Sequence, residues 1–313
     1  MAPALAPMST TFNLQGHRGA RGLRPENTLP SFEAAFDAGA TSIETDLHLT
    51  RDGVAVLYHD ALLRDPPCTP TPGPFLLVSR LTLAELRGYR AVRNPDPYRF
   101  PDQRADVTPL AQWFAQERGL DPYAIPTLDE LFQFAASYAG ELGRQAGKSD
   151  QQRERVRDLG FDLELKRVPF HPEIINDRFD GTAPGVLEER VVEAVRRAGV
   201  TARTTVRSFD HRCVRFLRRL EPGLTGAVLI AETAPVAPAE LVERAEAQVY
   251  CPGYLFVDAE QVRQLHAAGV RVLPWTVNEP EHWQRLLDWG VDGITTDVPD
   301  RLAVYLRQRG ISF

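Results

Sequence analysis

Short β-branched runs that alternate with amphipathic helical segments constrain the fold of this chain more than any other feature. From about residue 162 to the C-terminus, each apolar run is followed by a helical pattern. Over residues 187–198 apolar residues recur at helical spacing, charged residues fill the opposite face, and Gly199 stands at the C-cap position. This order is typical of parallel strands joined by crossover helices. The predicted strands cover residues 14–16, 42–47, 161–166, 203–208, 226–230, 248–251, 270–277 and 293–296.

Eight strand–helix units predict an α/β fold, the TIM (β/α)8 barrel, whose catalytic residues lie at the C-terminal ends of the strands. Residues 61–123 break the pattern, because they are rich in proline and glycine and show one helical patch, near residues 81–86. So long an irregular stretch in a compact domain is normally functional or disordered. We therefore predict a disordered leader over residues 1–12 and a barrel over residues 13–313. Residues 61–123 are predicted to form a subdomain inserted after the second strand, placed to roof the pocket.

Composition and charge exclude several classes of function. The 36 basic and 42 acidic residues give a net charge of -6, and no block of basic residues could follow a polyanion, so we expect no nucleic acid partner. No apolar run approaches the roughly 18 residues of a membrane span. Three widely spaced cysteines indicate neither a disulfide framework nor a zinc site. Residues 1–12 lack the features of a signal peptide, which predicts a cytoplasmic protein; prior removal of a signal would make it periplasmic or secreted.

Two predicted strands carry charged residues inside apolar runs. Alternation of side chains along a strand places three of them on one face of each strand: Glu44, Asp46 and His48 on the second, and Asp162, Glu164 and Lys166 on the third. Helices cover the outside of a barrel, so these polar faces should point inward. Converging carboxylates repel one another unless a cation neutralises them, and oxygen ligands suit a hard ion such as Mg²⁺ or Ca²⁺. The pattern implies a divalent metal.

Several short motifs carry a resemblance to a known family. They are His17-Arg18-Gly19, Pro25-Glu26-Asn27-Thr28, Glu44-Thr45-Asp46, His59-Asp60, Glu164-Leu165-Lys166, Trp275-Thr276-Val277-Asn278 and Thr295-Thr296-Asp297. Their order and approximate spacing resemble those of the glycerophosphodiester phosphodiesterase family, from about residue 15 to the end. The long insertion after the second strand resembles that family's as well. The resemblance implies a metal-dependent phosphodiesterase built on a TIM barrel.

The resemblance also implies a role for individual residues. The implied cation ligands are Glu44, Asp46 and Glu164; the acid/base pair is His17 and His59; the phosphate contacts are Arg18 and Lys166; and the further site-lining residues are Glu26 and Asn27. These residue types suit the reaction, because cations offset the charge that grows on the phosphoryl oxygens and histidines exchange protons near neutrality. Three choices stay open: which histidine is the acid, Mg²⁺ or Ca²⁺, and water or a substrate hydroxyl as the nucleophile.

Some of these residues have an ordinary structural interpretation as well. His17 in isolation would be a hydrogen-bonded structural histidine, and Lys166 could form a simple ion pair. Glu26 and Asn27 suit a helix entry, with Asn27 or Thr28 as the cap. The resemblance instead has Glu26 and Asn27 orient Arg18.

Three residues at later strand ends are further candidates. Trp275 near the end of the seventh strand suits either barrel core or a pocket wall against the glycerol moiety. We expect Phe209 to line the pocket, and Asp297 to orient a neighbouring side chain or to cap a helix.

The leading functional hypothesis is hydrolysis of small glycerophosphodiesters, such as glycerophosphocholine or glycerophosphoethanolamine, to glycerol 3-phosphate and an alcohol. The first alternative is hydrolysis of lysophospholipids, for which residues 75–78 offer an apolar lining. The second is a barrel that binds phosphorylated ligands without turnover. The presence of all the carboxylates, histidines and cations argues against it, since a binding module needs few of them.

Overall fold

The computed structural model describes residues 11–64 and 68–313. Most of the leader predicted over residues 1–12 lies outside this part; the Phe12 backbone N–H donates to the Ser312 carbonyl at 3.1 Å. The described chain contains eleven strands: β1 (Asn13–Gly16), β2 (Ser42–Leu49), β3 (Ala55–Leu57), β4 (Cys68–Thr69), β5 (Arg90–Ala91), β6 (Gly160–Leu165), β7 (Thr204–Ser208), β8 (Thr225–Ile230), β9 (Val249–Pro252), β10 (Arg271–Val272) and β11 (Gly293–Thr296).

Eight of these strands form a nearly closed parallel barrel. Their order is β10-β9-β8-β7-β6-β2-β1-β11, and β3 pairs antiparallel with β2. Backbone hydrogen bonds from Asp292 to Val272 and from Thr295 to Pro274, both 3.0 Å, join the two ends of the sheet. The structure therefore confirms the predicted TIM barrel.

The described helices lie outside the barrel strands, and two of them, the second and third in chain order, belong to residues 61–123. The helices are α1 (Leu29–Ala38), α2 (Leu83–Leu86), α3 (Pro109–Glu117), α4 (Leu128–Ala139), α5 (Glu141–Gln145), α6 (Asp150–Arg157), α7 (Val186–Ala198), α8 (His211–Leu220), α9 (Pro238–Arg244), α10 (Ala259–Ala267), α11 (Pro280–Asp288) and α12 (Pro299–Gln308). In α7 the apolar stripe is buried, and Gly199 ends the helix in the left-handed region as predicted. None of the described helices has the length and apolar character needed to cross a membrane.

The seventh barrel strand is shorter than predicted. Residues 270–277 were expected to form it, but regular pairing covers only β10. Pro274 lacks an N–H, which interrupts the ladder. The amides of Leu273 and Trp275 still donate to β9, at 2.9 and 3.0 Å, so the segment follows its neighbour to the barrel's C-terminal end.

The barrel interior has an apolar half and a polar half. Strands β8 and β9 and the residue after β10 contribute a separate apolar cluster: Ala227, Leu229, Val249, Cys251 and Leu273. On the other side Arg207 is almost fully buried and donates to both carboxylate oxygens of Asp162. Gln15 donates to Asp162 at 2.8 Å and accepts from Arg207 at 2.5 Å and from Thr295 at 2.7 Å. Asp162 is therefore committed to an ion pair below the candidate site.

Replacing Arg207 by glutamine is expected to lower the free energy of unfolding by about 3 kcal/mol, because it leaves the Asp162 carboxylate buried without its cation. Urea unfolding of the variant and the wild type measures this change. Arg219→Gln is the control, since Arg219 is exposed and its pair with Glu246 should contribute less than about 1 kcal/mol. Equal stability of Arg207→Gln and wild type would contradict the interpretation.

The described part of residues 61–123 has more regular structure than predicted. It contains the β4–β5 pair, α2 at the predicted helical patch, and α3, which the sequence analysis did not anticipate. A small apolar cluster lies under it, formed by Val56, Tyr58, Leu63, Cys68, Val78, Leu86 and Ile125. A core of this kind supports an inserted subdomain, whose boundaries remain a prediction.

Candidate active site

Three adjacent strands bring most of the predicted site residues together. Strands β6, β2 and β1 are neighbours in the barrel, and Asp46 on β2 lies in register with Glu164 on β6. His17 and Arg18 follow β1 directly, and Lys166 follows β6. These side chains therefore meet at the C-terminal end of the barrel, where a TIM barrel builds its site.

The loop after β1 is tied closely to the start of α1. Gly19 has a φ of 83°, and a Cβ there would lie 2.6 to 2.8 Å from atoms of Ser31. Only glycine tolerates both this backbone conformation and this contact. The Ser31 hydroxyl donates to the Arg18 carbonyl at 2.9 Å, and Thr28, not Asn27, caps α1. The glycine beside the His17-Arg18 pair thus holds the loop against the helix.

The three predicted metal ligands form one compact cluster. Carboxylate oxygens of Glu44, Asp46 and Glu164 all lie within 4.8 Å of one another, and the three residues are buried or nearly so. Among the described residues, buried Glu44 Oε1 has no partner, and buried Asp46 Oδ1 has no hydrogen bond and only an ion pair with Lys166 Nζ at 3.3 Å. A buried polar atom without a partner costs about 1–3 kcal/mol, so Glu44 Oε1 favours an additional group. A hard divalent cation fits this all-oxygen donor set.

The pKa shifts of the clustered carboxyls also favour a divalent cation. Burial, and then repulsion by Asp46, raise the pKa of Glu44 well above its usual range. Burial acts in the same direction on Asp46, but Arg18 and Lys166 outweigh it and hold the pKa of Asp46 well below its usual range. The two carboxyls therefore do not ionise equally in the absence of a cation. A divalent ion would favour the carboxylate form of both.

The predicted phosphate-binding cations are held by carboxylates of the site. Arg18 Nη1 donates to Glu26 Oε1 at 2.8 Å, and Arg18 Nε lies 3.2 Å from Asp46 Oδ2. Lys166 Nζ donates to Glu164 at 2.6 Å and lies 3.3 Å from Asp46 Oδ1. Although burial acts against the ammonium, Glu164 and Asp46 raise the pKa of Lys166. Both cations remain charged beside the carboxylate cluster.

Glu26 and Asn27 both position other site residues. Glu26 accepts from Arg18 and also pairs with Arg21, whose Nε lies 2.7 Å from Glu26 Oε2. Asn27 donates to Asp46 Oδ2 at 2.8 Å and accepts from Thr45 at 2.8 Å. The Asn27 side chain therefore fixes one of the predicted metal ligands, and the Asn27 backbone N–H donates to the Arg18 carbonyl at 3.1 Å.

His17 is oriented by a residue from the other end of the chain. Its Nδ1 lies 2.6 Å from Asp297 Oδ1 on the loop after β11, which agrees with the expected orienting role of Asp297. Its Nε2 faces the cluster, 3.9 Å from Glu44 Oε2. Burial lowers the pKa of His17 to about 4, against the opposing effect of Asp297. The imidazole is therefore neutral before substrate binds.

His59 has a similar arrangement on a different loop. Its Nδ1 lies 2.8 Å from Asp60 Oδ1, and the ring is about one-third exposed. The backbone carbonyl of His59 accepts from His48 Nε2 at 3.2 Å. In both predicted acid/base residues a carboxylate holds Nδ1, which leaves Nε2 for another group.

The two aromatic candidates contact each other at the top of the apolar half. The Phe209 and Trp275 rings are 5.8 Å apart in an edge-to-face arrangement. Trp275 Nε1 donates to the Cys251 carbonyl at 3.0 Å, which fixes the indole. Both residues pack on the apolar cluster of the barrel interior and are only partly buried. They are thus placed as one wall of the barrel mouth.

Two arginines near His17 were missed in the sequence analysis. Arg21 pairs with Glu26. In the insertion, Arg99 Nη2 lies 3.4 Å from Asp297 Oδ2. Arg21 could have been predicted from the sequence, because it lies in the same loop as Arg18. No local pattern marks Arg99, because its approach depends on how the insertion folds back.

Comparisons with known proteins identify the family of this chain. The sequence profile of the glycerophosphoryl diester phosphodiesterase family matches residues 17–301. A glycerophosphodiester phosphodiesterase of Caldanaerobacter subterraneus subsp. tengcongensis is 28% identical over 295 residues, which cover 94% of this chain and 97% of that protein.

Two crystal structures are also similar to this chain. The first, from Silicibacter pomeroyi DSS-3 and provisionally assigned as a glycerophosphoryl diester phosphodiesterase, is 30% identical with a TM-score of 0.76, covering 98% of this chain and 96% of that one. The second, an Oleispira antarctica phosphodiesterase in complex with the product sn-glycerol-3-phosphate, shares the fold at 23% identity and a TM-score of 0.66, covering 94% and 96%. The chain therefore belongs to the glycerophosphoryl diester phosphodiesterase family and is a phosphodiesterase.

Proposed function

We propose that this enzyme hydrolyses small glycerophosphodiesters, such as glycerophosphocholine or glycerophosphoethanolamine, to glycerol 3-phosphate and the free alcohol. The observation that carries the proposal is the buried cluster of Glu44, Asp46 and Glu164, which faces His17 Nε2 and in which Glu44 Oε1 has no partner among the described residues. Family membership supports the reaction class. The Oleispira antarctica phosphodiesterase, bound to sn-glycerol-3-phosphate, supports glycerol 3-phosphate as the product.

In this proposal Glu44, Asp46 and Glu164 hold Mg²⁺ or Ca²⁺. When bound, the ion would supply positive charge that stabilises the phosphoryl oxygens in the transition state. Asn27 keeps Asp46 in place through its 2.8 Å hydrogen bond. Arg18 and Lys166 add two further positive charges beside the carboxylate cluster, and each is already oriented by a carboxylate.

His17 and His59 carry the two proton transfers. One imidazole takes the proton of the attacking hydroxyl or water, and the other gives a proton to the leaving alcohol oxygen. Because Asp297 and Asp60 hold the Nδ1 atoms, each histidine would exchange protons through Nε2. Phe209 and Trp275 would bind the carbon skeleton of the substrate by apolar contact, as their position at the barrel mouth supports.

Lysophospholipids are the weaker candidate substrates. Of the apolar stretch over residues 75–78, Val78 is buried in the core of the insertion and Leu76 packs against it. Phe75 is 87% exposed. Two of the four residues therefore support the core of the insertion itself, which leaves little of the stretch to line a groove for an acyl chain. The relatives named as enzymes argue against the alternative of a barrel without turnover.

The direct test is release of glycerol 3-phosphate from glycerophosphocholine by the purified protein. We expect turnover that EDTA abolishes and that Mg²⁺ or Ca²⁺ restores, because the cluster supplies the oxygen ligands for such an ion. Zn²⁺ added after EDTA is the control, which tests whether any divalent metal restores turnover. Turnover that persists in EDTA would overturn the metal assignment, and no release from a folded protein with any metal would overturn the substrate assignment.

A further inference from the structure

One segment of the insertion is anchored to the loop that carries His17 and Arg18. Gln103 Nε2 donates to the Arg21 carbonyl at 2.7 Å, and the Arg104 N–H donates to the Leu23 carbonyl at 2.9 Å. Phe100 is buried, with the Arg21 guanidinium 4.8 Å from its ring centre. These contacts hold residues 99–104 at the edge of the candidate site.

Arg99 lies in this segment and has most of its hydrogen-bonding capacity unused. Its contact with Asp297 Oδ2 is long, at 3.4 Å, and that carboxylate already binds His17 at 2.6 Å and Asn278 at 2.8 Å. Among the described residues the guanidinium makes no other hydrogen bond or ion pair; it lies 5.1 Å from the Phe100 ring. The side chain is 49% exposed. A guanidinium has five N–H donors, so several remain available to a ligand.

The position of Arg99 indicates which part of a substrate it would meet. The imidazole of His17 lies between Asp297 and Glu44, so Arg99 is on the far side of the ring from the carboxylate cluster. A phosphoryl group at the cluster would contact Arg18 and Lys166 first. Arg99 is placed instead for a substituent that extends from the phosphorus past His17.

We propose that Arg99 binds an anionic group on the alcohol of the glycerophosphodiester. Of the two substituents on the phosphorus, glycerol is uncharged and only the alcohol can carry an anion, and a guanidinium binds an anion more strongly than a neutral group. The enzyme should therefore prefer an alcohol that bears a carboxylate or phosphate over choline or ethanolamine. This inference rests on the proposed function, since it concerns the same site and reaction.

The test compares two substrates that differ by one carboxylate, glycerophosphoserine and glycerophosphoethanolamine. The readout is the ratio of their kcat/KM values, which cancels any effect of a variant on the chemistry common to both. In the wild type we expect a ratio of about 10, equivalent to one charge-assisted hydrogen bond. Arg99→Gln should bring the ratio close to 1, and Arg99→Lys should retain part of the preference. Arg90→Gln is the matched control, because Arg90 is also on the insertion, is 47% exposed and pairs with Asp121.

The possible results distinguish the role of Arg99 from the proposed function. A wild-type ratio near 1, or an unchanged ratio in Arg99→Gln, overturns the role of Arg99 while leaving the proposed function intact. Equal loss of both activities in Arg99→Gln also overturns it, because Arg99 would then serve the step common to both substrates. If the wild type hydrolyses neither diester, the proposed function itself fails and this inference fails with it.

Discussion

Replacing His17 by alanine is expected to lower kcat for glycerophosphocholine by about 10³-fold, within the range that a general acid or base contributes. His17 presents Nε2 to the carboxylate cluster and supplies no ligand to it, so the variant removes a proton transfer and not the metal site. Asp297 keeps its contacts with Asn278 and Arg99 in the variant, so no buried carboxylate is left without a partner. The fold should therefore be retained.

Steady-state kinetics of His17→Ala, with metal titration by calorimetry and thermal unfolding of the same sample, check all three expectations. His171→Ala is the matched control, because His171 also has a carboxylate on Nδ1 but is 60% exposed and pairs with Glu173 instead of a residue of the cluster. It should keep the wild-type kcat. A His17→Ala variant with more than about a tenth of wild-type kcat would refute an acid/base role for His17.

Replacing Glu44 by glutamine is expected to weaken binding of Mg²⁺ or Ca²⁺ by at least about 100-fold. Loss of a residue that only supports a ligand costs about 10–100-fold, and loss of a ligand should exceed that. Activity should fall in proportion at low metal and recover in part at high metal. Without metal, by contrast, the substitution should not destabilise the folded protein. Burial and the repulsion between Glu44 and Asp46 both disfavour the ionised Glu44, and glutamine carries no charge. The metal-free variant should unfold at the same temperature as wild type or higher.

Calorimetric titration and thermal unfolding with and without EDTA separate the two effects. Glu173→Gln is the control, since Glu173 is 58% exposed and pairs only with His171 among the described residues. Unaltered metal affinity in Glu44→Gln would remove Glu44 from the ligand set. Lower stability of the metal-free variant would show that Glu44 has a structural role as well.

The carboxylate cluster was predictable because it depends on local rules. Side chains alternate along a strand, and helices cover the outside of the barrel, so Glu44, Asp46 and Glu164 had to point inward. Neighbouring strands in a parallel barrel end together, which places His17 and Arg18 beside them. The same alternation brought Asp162 inward, but it did not reveal the partner of that carboxylate. Arg207 was an unremarked residue of another strand, and its pairing with Asp162 keeps this carboxylate out of the cluster of Glu44, Asp46 and Glu164.

The contacts that orient the site join residues far apart in the chain. Asp297 holds His17 across 280 residues, and Arg99 approaches Asp297 across 198. The first contact forms because closure of the barrel brings β11 beside β1, and the second because the insertion folds back onto the loop after β1. The periodicity of the chain encodes which residues face the interior, since that follows from backbone geometry within each strand. Periodicity does not specify which carboxylate orients which histidine, or which arginine reaches the barrel mouth. These pairings depend on distances that are set only once the strands have closed into the barrel and the insertion has packed.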